Sequence, residues 1–283
     1  MLIAIDIREA ARGKKAGKGW YAFQLVQEIL NQDSKNQYLL YTDRPFPKWS
    51  RFQNATQKFF PPRSILWHYN AMKDIKKMKP DIFFAPTSYI IAAFAPSELK
   101  TVITVHDLIA WLAPARHNQK ATLIEHYTLP TALKKVHHIL TVSASTKNDL
   151  KKLFSVEDKK ISIISCAAGE VFRKIESGEK EKFRSEKNLP KKFILSVGTL
   201  EPRKNHIAIL KSFSRIHKKF PDVRLVIIGG KGWYWREILK TVETLKLQEA
   251  VQFPDYVSEE DLVKYYACAE MLVYPSLYEG FGL

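Results

Sequence analysis

Short apolar runs alternate with stretches of helical periodicity along the whole chain. Leu2–Ile7 reads as a buried strand. After a loop rich in Gly and Lys, Tyr21, Leu25, Val26, Ile29 and Leu30 fall on one helical face. Tyr38–Tyr41 and Phe59–Phe60 predict two more strands, and Ile65–Met78 a helix. Ile82–Ala85 and Val102–Val105 have the short, continuous apolar character of strands buried on both faces. Thr122–Val136 predicts a helix interrupted or bent at Pro130. Ile139–Val142 predicts a strand, and Ser143 caps a helix carrying Asn148, Leu150 and Leu153. Ile161–Ile164 closes this half.

The pattern then lapses. Residues 171–191 are polar, charged and poor in strand formers, and read as a linker between domains of residues 1–170 and 192–283. A second cycle follows: strands at Phe193–Val197, Leu225–Ile228, Val251–Phe253 and Leu272–Tyr274. Helices at Ile207–Phe220, Trp233–Leu245 and Ser258–Ala267 separate them. Such alternation predicts an α/β fold of two doubly wound parallel sheets. Ligands of these sheets bind outside the carboxyl ends of the strands, and in a two-domain chain in the cleft between the domains.

Composition narrows the classes. At 283 residues and 46% hydrophobic content, the chain is a globular protein of one large or two ordinary domains. Cys166 and Cys268 are the only cysteines, which excludes a disulfide framework and a cysteine zinc site. The first residues are apolar but short and carry Asp6, as a strand does and a signal peptide does not. Tyr89–Pro96, the longest apolar stretch, is too short to span a bilayer. A cytoplasmic protein follows, with membrane contact only at a surface. The net charge is +16, of which +11 falls in residues 1–170, where 25 Lys and Arg face 14 Asp and Glu. Such a surface favours phosphorylated substrates, anionic membranes or nucleic acid, or is simply a solvated Lys-rich face.

Candidate chemistry lies at strand ends. In Ser196–Asn205, Gly198 permits a tight turn, Pro202 stiffens the loop, and Arg203 and Lys204 then project from the N-terminus of a helix. Cations there oppose the helix dipole, at roughly 0.3–1 kcal/mol each, unless an anion intervenes. A diphosphate suits them, with Arg203 binding through its fork and Lys204 as a point charge. The competing reading is an exposed basic pair. Tyr274–Leu283 runs from a strand into Glu279-Gly280-Phe281-Gly282, where two glycines let backbone N–H groups approach a ligand. A helix beginning there would bind an anion at its N-terminus, and Glu279 beside it would accept hydrogen bonds from hydroxyls. Phosphate plus hydroxyls suggests a nucleotide-sugar. His106 follows the strand Val102–Val105, either as a cleft residue or as a structural histidine bonded to backbone. Asp107 reads as a turn cap. Trp233 and Trp235 read as packing against the sheet rather than stacking on a base.

As an ordered set these stretches resemble a family. Gly198-Thr199-Leu200-Glu201-Pro202-Arg203-Lys204-Asn205, Gly229–Trp233, Tyr256–Leu262 and Pro275–Leu283 are similar to the group 1 retaining glycosyltransferases. The likeness is strongest to mannosyltransferase-like members acting on polysaccharide or lipopolysaccharide precursors. Gly17-Lys18-Gly19, Val105–Leu108 and Thr141–Lys147 extend it through the first half. The resemblance implies the GT-B fold, two Rossmann-like doubly wound domains with the second incomplete here. The first domain would bind the acceptor and the second the donor. It implies His106 and Glu279 at the reacting sugar. It assigns donor contacts to Gly17, Gly19, Arg203, Lys204, Gly230, Val257, Gly280, Phe281 and Gly282.

The implied reaction moves a hexose, mannose favoured and GDP-mannose the matching donor, to a saccharide or lipid-linked acceptor with retention of configuration. No cofactor is implied and, with no Asp-x-Asp motif, no metal. The partners expected are the donor, the acceptor and peripherally the inner face of an anionic membrane, with no specific nucleic acid. A sugar-nucleotide epimerase of the same fold and a basic protein binding nucleic acid or membrane are the alternatives. The family pairs its first Glu with a second after seven intervening residues. Counted from Glu279 this falls past Leu283, so the chain reads as a C-terminally truncated fragment or as one whose remainder lies on another chain.

Overall fold

The computed structural model describes residues 1–61, 65–116 and 118–282. Two compact units account for them: one of residues 1–114, 119–167 and 280–283, the other of 115–118 and 168–279.

The first unit begins with strand β1 (Leu2–Asp6), helix α1 (Gly17–Gln32), β2 (Gln37–Thr42), β3 (Ala55–Phe59), α2 (Ile65–Met78) and β4 (Ile82–Ala85). It continues with α3 (Ile90–Phe94), β5 (Lys100–Val105), α4 (Ile109–Leu112), α5 (Gln119–Lys135), β6 (His138–Thr141), α6 (Ala144–Phe154) and β7 (Ile161–Ile163). Among the described residues these strands form one parallel sheet of seven, in the order β3-β2-β1-β4-β5-β6-β7. Alternate residues face opposite layers, as the period of two requires. Ala4, Leu39, Phe83, Ile103 and Ile139 pack with Trp67, Leu129 and Leu150 on one face. Ile5, Leu40 and Phe84 pack with Ala22, Phe23 and Val26 on the other.

The second unit holds α7 (Ser177–Glu186), β8 (Lys192–Val197), α8 (His206–Lys219), β9 (Val223–Ile228), α9 (Trp235–Thr244), β10 (Val251–Asp255), α10 (Glu259–Cys268) and β11 (Met271–Leu272). Its parallel sheet runs β10-β9-β8-β11 among the described residues. In both sheets the order reverses beside the first strand, between β1 and β4 and between β8 and β11. These switch points, at the carboxyl ends, are where doubly wound sheets bind ligands.

Several details depart from the sequence reading. The buried face of α1 is Gly19, Ala22, Phe23, Val26 and Leu30, so Tyr21, Leu25 and Ile29 lie beside it, half buried. Strand β3 centres on Ala55–Phe59 rather than Phe59–Phe60, because register with the buried β2 outweighs the polarity of Thr56, Gln57 and Lys58. Helix α5 continues through Pro130. Trp233 is 44% exposed and precedes α9, whereas Trp235 packs against the core.

The segment read as a linker contains α7. Its charged residues hide one apolar anchor, Phe183, which is 2% exposed and packs against Phe193 and Tyr265. Truncating a buried aromatic costs about 3–5 kcal/mol. Phe183→Ala is therefore expected to lower stability by that amount in urea unfolding, and Lys182→Ala to leave it within about 0.5 kcal/mol. Equal, small effects of both substitutions would show that α7 contributes nothing to the second unit.

Candidate functional site

The switch point of the second unit is built from the two loops that leave β8 and β11. After β8 the chain makes a single 3-10 turn, Pro202–Lys204, and Asn205 then takes a left-handed conformation (φ 59°) before α8 begins. Arg203 and Lys204 thus precede the helix rather than forming its first turn, which corrects the expected placement. An Asn tolerates this conformation better than most side chains do. The opposition to the helix dipole argued from sequence is replaced by direct ion pairing.

Glu279, from the loop after β11, receives both cations. Lys204 Nζ lies 2.7 Å from Glu279 Oε1, and Arg203 Nη1 donates to Oε2. Arg203 also forks onto Glu201 Oε1, at 2.8 and 3.2 Å. The Tyr274 hydroxyl donates to Glu279 Oε1 at 2.9 Å and accepts from Lys204 Nζ. Backbone and amide contacts join the same loops: Leu277 N donates to Arg203 O at 2.9 Å, and Asn205 Nδ2 to Pro275 O at 3.2 Å. All four charged side chains are at most about one-fifth exposed. Burial raises the Glu279 pKa, but the Lys204 hydrogen bond and the Arg203 and Lys204 charges outweigh it and hold the carboxyl below its ordinary range.

Below β8, the Gly229 backbone passes so near Gly198 that a Cβ would sit 2.0 Å from the Gly198 carbonyl oxygen. Gly230, the predicted contact, has open space around it, although its carbonyl accepts from Leu200 N at 3.0 Å. Val257 is half buried against the apolar layer of Val226 and Ile228.

The other predicted residues belong to the first unit. Gly17 and Gly19 form the first turn of α1 rather than the loop before it. His106 is 8% exposed at the end of β5. Its Nε2 lies 2.8 Å from Pro86 O, and since a carbonyl only accepts, Nε2 carries the proton and Nδ1 the lone pair. The Tyr21 ring stands edge-on to it at 4.7 Å. Burial, aided by the Lys18 charge, depresses its pKa to about 4, so the imidazole is neutral. Asp107 accepts from Ile109 N at 3.3 Å, as a turn cap does. Gly280 accepts from Ser143 and Thr146, and a Cβ on it would meet His106 O at 1.8 Å. Phe281 is exposed, Gly282 has φ +97°, and Leu283 lies outside the described residues.

Sequence reasoning gave no role to Tyr274 or Glu201, although both stand in motifs it used. Tyr274 meets Lys204 at a separation of 70 residues, which no local pattern reveals, whereas Glu201 pairs with Arg203 two positions on. The expected donor contact is Gly230, while the close backbone approach falls at its neighbour Gly229.

Two Rossmann-like units with charged groups at a switch point define the GT-B class. The fold is shared with Anabaena HepE in complex with UDP and glucose, at a TM-score of 0.76 and 15% identity, covering 100% of this chain and 76% of that one. Residues 177–283 match the family Glycosyl transferases group 1, and residues 36–168 match Glycosyltransferase Family 4. The O-antigen chain mannosyltransferase B of Escherichia coli is 28% identical over 228 residues, 78% of this chain and 56% of the relative. The O-antigen chain mannosyltransferase RfbU of Salmonella typhimurium is 32% identical over 182 residues, 64% of this chain and 47% of the relative. Residues 177–283 thus carry a group 1 glycosyltransferase domain and residues 36–168 a Glycosyltransferase Family 4 domain. The chain spans about half the length of these curated relatives.

Two outcomes test the geometry. His106 has a folded pKa near 4 against 6.5 for the free side chain, so the unfolded chain takes up its proton first as pH falls. Its contribution is complete above about pH 6.5 and is lost between there and about pH 4, an amount of about 3 kcal/mol at 1.36 kcal/mol per unit. His106→Asn should flatten the stability profile measured by urea unfolding across that window, and an unchanged slope would refute the buried neutral assignment. Tyr274→Phe removes a hydroxyl bonded to both Lys204 and Glu279. It should cost about 1–2 kcal/mol above the carboxylate range and less once acid protonates Glu279. A pH-independent loss would point to packing instead.

Proposed function

We propose that this chain contributes to a glycosyltransferase that moves a hexose from a nucleoside-diphosphate sugar to a saccharide or lipid-linked acceptor. The observation that carries the reading is the Arg203–Glu279–Lys204 network at the switch point of the second unit. Two cations there are balanced by carboxylates, Glu279 and Glu201, in a setting about four-fifths buried. A diphosphate entering this network replaces the Glu279 carboxylate on Arg203 and Lys204. Glu279, so released, is the acceptor for the hydroxyls of the attached sugar. One residue thus serves as the resting counter-ion and as the sugar contact.

The chemistry follows from charge. Glycosyl transfer passes through an oxocarbenium-like state as the nucleoside diphosphate leaves with growing negative charge. Arg203 and Lys204, held in place before the reaction by Glu201 and the loop hydrogen bonds, stabilise that charge without reorganising. They do in this scheme what a divalent cation does elsewhere, so transfer is expected without added metal, and the resemblance to the retaining group 1 enzymes favours retention at the anomeric carbon. The E. coli and Salmonella relatives are named as O-antigen chain mannosyltransferases, which favours GDP-mannose as donor. An acceptor carried by a lipid brings the protein to the cytoplasmic face of an anionic membrane, consistent with a net charge of +16.

Calorimetric titration with GDP-mannose and UDP-glucose, each with EDTA present, tests this. At least one should bind, and Arg203→Ala or Lys204→Ala should weaken it by about 10–100-fold, the loss of roughly 1.5–3 kcal/mol for a charge-assisted hydrogen bond. Binding of neither nucleotide-sugar, or affinity indifferent to both substitutions, would sink the proposal.

A further inference from the structure

His206 opens α8 and is 2% exposed. Ile209 and Leu210, three and four residues on, share its helix face and pack into the apolar layer against Leu225 and Ile227. A leucine would fill such a place. The side chain is polar instead, and its Nε2 lies 3.3 Å from Thr199 O, seven residues back. A carbonyl only accepts, so Nε2 carries the proton. Burial, helped by the Lys204 charge, outweighs the Thr199 and Gly198 backbone bonds and holds the pKa below its ordinary value. The ring is therefore neutral, with its lone pair on Nδ1.

This bond closes the loop that carries Arg203 and Lys204. The first half of the loop is anchored beside the sheet: Gly198 N donates to Ile228 O at 2.8 Å and Leu200 N to Gly230 O at 3.0 Å. The Gly232 backbone presses on the same stretch, where a Cβ would lie 2.6 Å from Leu200 O. The second half is held by its own turn, with Lys204 N on Glu201 O at 3.2 Å and Asn205 N on Pro202 O at 3.1 Å. His206 ties its far end back to the anchored half. Thr199 O accepts from Glu201 N as well, at 2.8 Å, so one carbonyl fixes both the entry to the turn and the start of the helix.

Lys204 shows why that spacing matters. A Cβ on Gly198 would lie 3.3 Å from Lys204 Cγ and Cδ, so the stem of Lys204 runs along the Gly198 backbone on its way to Glu279. Arg203 is aimed from the same turn by Glu201. Moving His206 away from Thr199 takes the floor from under the Lys204 stem and turns the segment that bears both cations. Hydrogen bonds weaken steeply as their angle closes. A buried histidine that only filled space could be exchanged for an apolar side chain without touching this geometry. One that sets the spacing of the loop could not.

We propose that His206 is a positioning residue: by holding the Thr199 carbonyl it sets Arg203 and Lys204 on Glu279 in the resting site and on the diphosphate of a bound donor. It acts through the loop and not on the substrate. The role toward the donor rests on the reading of the two cations as diphosphate contacts. The role toward Glu279 does not, because the resting network forms without a ligand.

The test uses the full chain and reads the resting network first. The Glu279 carboxyl is titrated by carbon-13 NMR, its signal assigned with Glu279→Gln. His206→Leu keeps the packing and deletes the hydrogen-bond donor. It should raise the Glu279 midpoint by at least about 0.5 pH and weaken binding of GDP-mannose or UDP-glucose, measured by calorimetry, at least about fivefold. His206→Gln offers an amide donor at similar reach and should restore most of both. A merely structural histidine would change the urea midpoint and leave the Glu279 titration in place. Both readouts indifferent to His206→Leu, or His206→Gln no better than His206→Leu, overturns the proposal. Should His206→Leu fail to fold, the unsubstituted chain still decides. Long-range nitrogen-15 spectra should put the His206 proton on Nε2, and a proton on Nδ1 overturns the proposal. The two readings separate cleanly. A donor that binds and is weakened by Arg203→Ala, with no response to His206→Leu, refutes the positioning role alone. Neither nucleotide-sugar bound, with the Glu279 midpoint moved by His206→Leu, refutes the donor reading alone.

Discussion

The carboxylate of Glu279 lies between two cations that the chain supplies some seventy-five residues earlier, and the second unit's switch point is organised around it. Removing charge from water is costly, and a buried pair repays that cost only with good geometry and further hydrogen bonds. Those bonds are present. Arg203 has Glu201, Lys204 and Glu279 share the Tyr274 hydroxyl, and backbone bonds join the loops after β8 and β11. Strand β11 pairs with β8 over only two residues, Met271 with Ile194 and Leu272 with Leu195. So short a ladder fixes little beyond itself. The ionic network continues the connection past the ends of the strands and sets the path of residues 274–279.

The first unit meets the same problem in another way. Asp6 ends β1 fully buried, and Arg8, two residues later, folds back to neutralise it through both carboxylate oxygens. This pair is local, so it holds the strand end without joining distant loops. Arg12 and Arg44 beyond it are paired in the same local way, with Glu9 and Asp43. The two switch points therefore differ in kind. One is an almost neutral lattice in which a ligand's charge must exchange with a resident carboxylate. The other is a set of ion pairs between close neighbours in sequence.

How much of this was legible in the sequence follows from the range of the forces concerned. Strands buried on both faces gave nearly every element of both sheets, because Leu2–Asp6 or Phe193–Val197 is apolar whatever its neighbours are. Elements stabilised by contacts from elsewhere were misread. β3 is a strand because β2 pairs with it, and α7 is part of a unit because one Phe among charges finds Phe193 and Tyr265. The site divides along the same line. Arg203, Lys204 and Glu279 were visible as types at strand ends, but their mutual pairing was not, and the left-handed Asn205 moved the two cations out of the helix. His106 shows the limit of a local pattern, since a strand-end histidine reads alike whatever its ring nitrogens bond, and here Nε2 bonds the Pro86 carbonyl.

The charge balance at Glu279 bears on selectivity as well as stability. In the proposed donor complex a diphosphate takes over Arg203 and Lys204 while the displaced carboxylate stays in the site, so the driving force depends on what that carboxylate then finds. Water would hydrate it, but only partly in so buried a setting. Neighbouring sugar hydroxyls, held by the same diphosphate, can replace both lost cations' hydrogen bonds at once. A nucleoside diphosphate without a sugar leaves Glu279 without that compensation, and an unsatisfied buried charge costs more than a neutral group does. In that proposed complex the network would penalise the bare nucleotide relative to the nucleotide-sugar. Discrimination arises from a penalty in the wrong complex rather than an added contact in the right one, and it requires the resting ion pair to be as well made as it is.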